Sequence, residues 1–223
     1  MKVQIVDLPN PGILQIKLDK DQVDNLWRLA RKYAPEDSKW DDNELLDIPL
    51  EQKQYAMRDD DDSFTQSVLM PLISEYFEKF CSTGVLPFIH RTTHYHDLAL
   101  NRFWVRASEV NDYQTLHSHQ GVFSFVVWMR IPFDGNVERN IQGGFRPQAG
   151  DFSMIYTDIC GTIERKDWVL TPDFEGTMLL FPSTLNHVVY PHQTGDGYRI
   201  SIAGDISLNS HITMDPVSPT ELG

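Results

Sequence analysis

The stretch NDYQTLHSHQ, from Asn111 to Gln120, sets two histidines two residues apart, His117 and His119. Side chains at i and i+2 of an extended strand leave the same face. Two imidazoles on one face can take adjacent positions around a transition metal. A third ligand then has to come from a neighbouring strand. His187 is the best-placed candidate, because it follows the turn-like PSTLN within LLFPSTLNHVVYP and opens a new extended run. Twelve residues further on, GYRISIAGD alternates Arg199, Ser201 and Ala203 with Tyr198, Ile200 and Ile202. An arginine facing the inside of a β structure is costly unless it meets an anion. Its planar fork suits a carboxylate, and the hydroxyl of Ser201 can add one hydrogen bond.

Each piece has a plainer reading. A His-x-His pair on a strand is more often ordinary surface or core polarity than a metal site, and an Arg-x-Ser pair is by default a solvated strand face. The order and spacing weigh against that default: His-x-His, a long β-rich gap, a turn with a third histidine, then Arg-x-Ser. Other clusters carry less. HRTTHYHD offers His90, His94 and His96 but no partner of the Arg199 kind, and reads as a polar edge or loop. Asp59 to Asp62 in RDDDDS lack the spacing and glycine of a calcium loop and are expected to cap the helix that follows. Trp104, Tyr113, Phe125 and Trp128 could line a pocket, although aromatics on strands are core residues far more often.

The elements that must position these residues fall into two parts. In the N-terminal part, VQIVDL and GILQIKL flank the turn signal PNPG and read as a strand pair. Asp19 to Ala34 reads as a helix, with Val23, Leu26, Trp27, Leu29 and Ala30 at helical spacing and Pro35 as its stop. PEDSKWDDNELLDIPLEQKQ reads as a loop. A second helix is expected from about Ser63 to Phe80, with Gly84 past its end. Thereafter LALNRFWVRA, FSFVVWMRIPF, GDFSMIYT, GTMLLFPS, HVVYP and YRISIAGDIS recur between turns. Many short strands at this spacing predict an antiparallel sandwich or barrel. The fold expected is mainly β with helical support, in one domain: residues 1–97 as a mixed support layer, 98–208 as the β core and 209–223 as a tail.

The combination LLFPSTLNHVVYPHQTGDGYRISIAGD, with the His-x-His before it, resembles the iron(II)- and 2-oxoglutarate-dependent oxygenases, in particular their bacterial and phage-associated prolyl-hydroxylase-like branch. The resemblance covers about Leu98 to Leu208. It implies a double-stranded β-helix, of the jelly-roll or cupin-like kind, flanked by N-terminal helices. It also implies Fe(II), 2-oxoglutarate and O2 as cofactors, with His187 as distal iron ligand. Arg199 would partner the far carboxylate of 2-oxoglutarate, with Ser201 as its helper. A small-molecule or peptide substrate with a prolyl-like side chain would be hydroxylated. In this pattern His119 stands where the family has Asp or Glu. Two registers remain open: a three-histidine site on His117, His119 and His187, as in cupin-like thiol dioxygenases, or His119 as first ligand with Gly121 at the acid position, as in iron halogenases. Two other readings stand beside the oxygenase: a three-histidine dioxygenase needing no 2-oxoglutarate, and a non-catalytic jelly-roll binding module.

Composition limits the rest. The 223 residues carry a formal net charge of −13 and no basic stripe, which argues against nucleic-acid binding. No CxxC occurs around Cys81 and Cys160, so a thiolate metal site is not supported, and two free thiols fit a reducing, cytoplasmic setting. The N-terminus lacks the apolar core of a signal peptide, and no apolar run approaches the ~18 residues of a membrane span. GxGxxG, the P-loop and the nucleophile elbow are all absent from the sequence.

Overall fold

The computed structural model describes residues 12–41, 44–49, 52–81, 98–141 and 148–208. The strand expected at VQIVDL, the histidines at 90, 94 and 96, and the tail at 209–223 lie outside them. Eight strands make two facing antiparallel sheets. These are β5 (Leu98–Ser108), β6 (Gln114–His117), β7 (Phe123–Arg130), β8 (Phe152–Thr157), β9 (Ile163–Trp168), β10 (Thr177–Pro182), β11 (Asn186–Val189) and β12 (Arg199–Leu208). One sheet has the order β10-β7-β12-β5, extended at its two ends by β1 (Leu14–Lys17) and β4 (Gln54–Ala56). The other has the order β6-β11-β8-β9. The chain passes back and forth between the sheets, and this winding is the double-stranded β-helix.

Strands β5, β7 and β12 sit in the middle of the larger sheet and are covered on both sides. Phe103 and Val105 of β5, Phe123 and Phe125 of β7, and Ile200 and Ile202 of β12 face one way. They pack on Leu26, Leu29 and Ala30 of helix α1 (Lys20–Lys32) and on Phe64, Leu69, Ile73 and Tyr76 of a second helical segment. Residues of opposite parity on the same strands turn toward the smaller sheet. The near-continuous apolar run FSFVVWMR follows from this: a strand buried on two faces shows no polar alternation.

The helices begin where their caps are. Asp19 accepts from the backbone N–H of Gln22 at 2.9 Å, and the Gln22 side chain accepts from the Asp19 N–H at 2.9 Å, closing a capping box. The second segment runs from Ser63 to Cys81 as α2 (Met70–Tyr76) between two wider π-turns, Thr65–Leu69 and Phe77–Cys81. Asp59 accepts from the N–H groups of Phe64 and Thr65, the capping role expected of RDDDDS.

Two elements depart from expectation. The stretch expected as a loop after Pro35 contains a hairpin, β2 (Lys39–Asp41) with β3 (Glu44–Asp47). Strand β9, IERKDW, has no apolar alternation because it is the exposed edge of the smaller sheet, pairing on one side with β8. Charged side chains on such an edge discourage pairing with other chains.

Candidate metal centre

Strand pairing brings the first two histidines together. β6 runs antiparallel to β11 with His117 directly opposite His187. Strand β6 ends at His117, so His119 lies just past it. It is held there by its backbone N–H, which donates to the Ser183 carbonyl at 2.8 Å in the turn before β11. The rings lie 4.3 Å (His117–His187), 5.1 Å (His119–His187) and 5.3 Å (His117–His119) apart by centroid. One nitrogen from each can be chosen so that all three fall within 4.8 Å of one another.

In each ring Nδ1 is already engaged. His117 Nδ1 lies 2.6 Å from the Thr115 carbonyl, His187 Nδ1 3.0 Å from the Leu185 carbonyl, and His119 Nδ1 2.6 Å from Asp205 Oδ1. Carbonyl and carboxylate oxygens only accept, so each Nδ1 carries a proton, and in the neutral ring Nε2 is then the nitrogen with the free lone pair. That is the tautomer that metal ligation through Nε2 requires, with the ring fixed by a partner on its far side. Burial pushes the His187 imidazole down to about 4, so this ring is neutral at ordinary pH. Phe152 and Phe181 pack beside it at 5.6 and 5.3 Å, and Trp104 stacks on His119 at 5.6 Å.

Asp205 was not singled out from the sequence. It lies on β12, fully buried, and accepts also from Ser124 Oγ at 2.8 Å. The signal was present: an aspartate in the middle of ISIAGDIS, at even spacing from Arg199, shares the inward face. At Gly121, the alternative acid position, a Cβ would meet Ile206 O and Ser183 Oγ at 3.0 Å.

A cavity of about 580 Å³ opens beside the three rings, between the sheets. Arg199 reaches it from β12, only 3% exposed, with its Nη1 donating to the Tyr190 carbonyl at 3.0 Å. Burial, and then the nearby Arg106 guanidinium, pull Arg199 down to about 10, which leaves it cationic at neutral pH. No carboxylate among the described residues pairs with it. Ser201 and Ala203 line the same wall, as the alternation of β12 requires, while Ile200 and Ile202 enter the helix-covered core. Of the four aromatics considered from sequence, Trp104, Phe125 and Trp128 border the cavity, and Tyr113 is exposed.

The family model described as "Putative 2OG-Fe(II) oxygenase" matches residues 102–205, the span that holds every residue of this site. No curated protein matches the chain. Among solved structures the chain is similar to a 2OG-Fe(II) oxygenase family oxidoreductase from Burkholderia pseudomallei, at 13% identity over 88% of this chain and 84% of that one, with a TM-score of 0.47. It is also similar to a prolyl-4-hydroxylase from Pseudomonas putida, at 15% identity over 89% and 93%, with a TM-score of 0.48. A third is the viral collagen prolyl hydroxylase of Paramecium Bursaria Chlorella virus-1, solved with 2-oxoglutarate, at 13% identity over 88% and 96%, with a TM-score of 0.47.

Proposed function

We propose that the chain is a 2OG-Fe(II) oxygenase, as the match of residues 102–205 to that family's model supports, in which His117, His119 and His187 hold the iron and Arg199 and Ser201 receive 2-oxoglutarate. The observation that carries the reading is the set of three imidazoles, each with Nδ1 tied back and Nε2 free, whose ligand atoms gather within 4.8 Å. Imidazole nitrogen suits iron(II), and three ligands leave positions for a co-substrate and oxygen. Iron(II) with 2-oxoglutarate supplies oxygen activation: one oxygen atom of O2 enters the substrate C–H bond, and the other leaves in succinate after loss of CO2.

The chain's own residues do the positioning. Asp205 holds the His119 proton on Nδ1 and so aims Nε2 at the shared point. Thr115 and Leu185 do the same for the other two rings through their carbonyls. Arg199, cationic and without a carboxylate partner among the described residues, receives the far carboxylate of the co-substrate, and Ser201 adds a hydroxyl donor beside it. Trp104, Phe152 and Phe181 shield the rings from water. The resemblance of LLFPSTLNHVVYPHQTGDGYRISIAGD to prolyl-hydroxylase-like enzymes supports an amino-acid or peptidyl substrate with a prolyl-type side chain.

The test is anaerobic titration of metal-free protein with iron(II) and then 2-oxoglutarate. A weak visible charge-transfer band is expected, followed on admission of oxygen by succinate formation. His187→Ala should abolish both. Oxygen uptake that is indifferent to 2-oxoglutarate would sink the reading.

A further inference from the structure

The protein is strongly acidic, with a formal net charge of −13, yet its cavity is not. Among the described residues its lining holds three arginines, Arg102, Arg106 and Arg199, and not one aspartate, glutamate or lysine. Two of the three come from one strand. On β5 the side chains of Arg102, Trp104, Arg106 and Ser108 leave the same face by alternation, and all four border the cavity. In the β5–β12 register Ser108 lies opposite Arg199, Arg106 opposite Ser201 and Arg102 opposite Asp205. The three guanidiniums therefore form a ladder along the wall, from the buried Arg199 to the histidine end.

Their partners differ. Arg102 is the more exposed, lies over the Trp104 ring at 5.3 Å, and has its Nη1 3.4 Å from Asp205 Oδ2. Arg106 has no carboxylate among the described residues. Its Nη1 donates to Gln54 Oε1 at 3.3 Å, and its buried Nε has no partner among the described residues. A half-buried guanidinium with unused donors, close enough to Arg199 to disfavour that residue's charge, is costly unless an anion joins it. The co-substrate does not supply enough charge for this. Asp205 answers Arg102, one carboxylate of the co-substrate would answer Arg199 and the other would answer half of the charge of a divalent iron, which leaves Arg106 without a counter-charge among the described residues.

We propose that the molecule oxidised in this cavity is itself an anion, a small acid whose carboxylate or phosphate is held by Arg106, with Arg102 at the open side and the Trp104 ring between them. This rests on the oxygenase reading and names the substrate class for it. The planar fork of arginine binds either anion in a bidentate way. A positive cavity in a negative protein also concentrates such an anion against the outer field.

The test is isothermal titration of the full chain, both metal-free and loaded with nickel(II) and saturating 2-oxoglutarate in the absence of oxygen. The probes are two matched pairs: N-acetyl-L-proline against N-acetyl-L-prolinamide, and glycerol 3-phosphate against glycerol. In at least one pair the anion is expected to bind at least tenfold more tightly than its neutral partner, and which pair shows it tells carboxylate from phosphate. Arg106→Gln should remove that preference while leaving 2-oxoglutarate affinity within about twofold, and Arg106→Lys should restore part of it. Anions binding no better than neutral partners to the wild-type protein would overturn the inference without any variant. So would an Arg106→Gln protein that loses 2-oxoglutarate and keeps the anion preference, since Arg106 would then belong to the co-substrate. Loss of 2-oxoglutarate binding by the wild-type protein, with the anion preference intact, would count against the oxygenase reading alone.

Discussion

Asp205 is the residue on which the geometry of the candidate metal centre turns. It is fully buried, and its oxygens meet His119 Nδ1, Ser124 Oγ and, at longer range, Arg102. A carboxylate behind a ligating imidazole fixes the ring and makes its free nitrogen a better donor. Asp205→Ala should therefore weaken nickel(II) or cobalt(II) binding roughly 10- to 100-fold, the usual effect of removing such a support, measured by competition with a chelator. Asp205→Asn keeps an acceptor for the Nδ1 proton but loses the charge, and should fall between the two. Equal affinity in wild type and Asp205→Ala would show that His119 needs no support, or does not ligate.

Strand β12 carries both the chemistry and the core. Its inward residues reach the cavity, and its outward residues meet the helix layer. Its centre allows no extra atom: a Cβ on Gly204 would stand 2.6 Å from the Phe125 ring and 2.7 Å from the Arg102 carbonyl. The neighbours are a buried ring and a backbone oxygen, which cannot swing aside. Gly204→Ala should cost about 1–3 kcal/mol of unfolding free energy, the usual range for overpacking, read from urea midpoints. Helix α1 depends on its cap in a smaller way. Asp19→Ala removes the acceptor for the Gln22 N–H and should cost about 1 kcal/mol with no change in metal affinity, since α1 touches the site only through the core.

Acid should weaken the whole molecule, and the signs can be followed group by group. His192 is fully buried, stacked 4.5 Å from the Phe133 ring, with neither ring nitrogen hydrogen-bonded among the described residues, and burial lowers it to about 4. His187 is lowered to about 4 for the same first reason. Below about pH 6.5, where an unfolded histidine protonates, the unfolded chain binds more protons than the folded one, so stability falls as pH drops from about 6.5 toward 4. Asp151 acts in the other direction. Burial raises it to about 6 despite its ion pair with Arg139, so its protonation relieves the folded state as pH falls below 6. Two histidines against one aspartate leave a net loss. Metal-free protein should unfold at lower urea at pH 5 than at pH 7. His192→Phe, which keeps the stacked ring without the titration, should recover up to roughly 3 kcal/mol of the loss at pH 4. A flat urea midpoint across this range would remove the argument. No helix among the described residues is long and apolar enough to cross a membrane.

Local pattern was enough to read α1 and the alternation of β12, because each depends on a period and a neighbour within a few positions. The hairpin β2–β3 and the edge strand β9 were not legible, since their polar sequences are strands only by virtue of the partners they pair with. The sequence left two ligand registers open, and the contacts around them are long-range. The pairing of His117 with His187, the Ser183 carbonyl that holds His119, and the turn of Gly121 toward Ile206 all join segments far apart in the chain. Asp205 and the arginine ladder were hidden for the same reason. Arg102 and Arg106 look like ordinary strand charges until β12 is laid beside β5 and the smaller sheet closes over them. The residue types capable of the chemistry were set by the amino-acid order alone; which of them share one cavity was set by strand register, which only long-range packing decides.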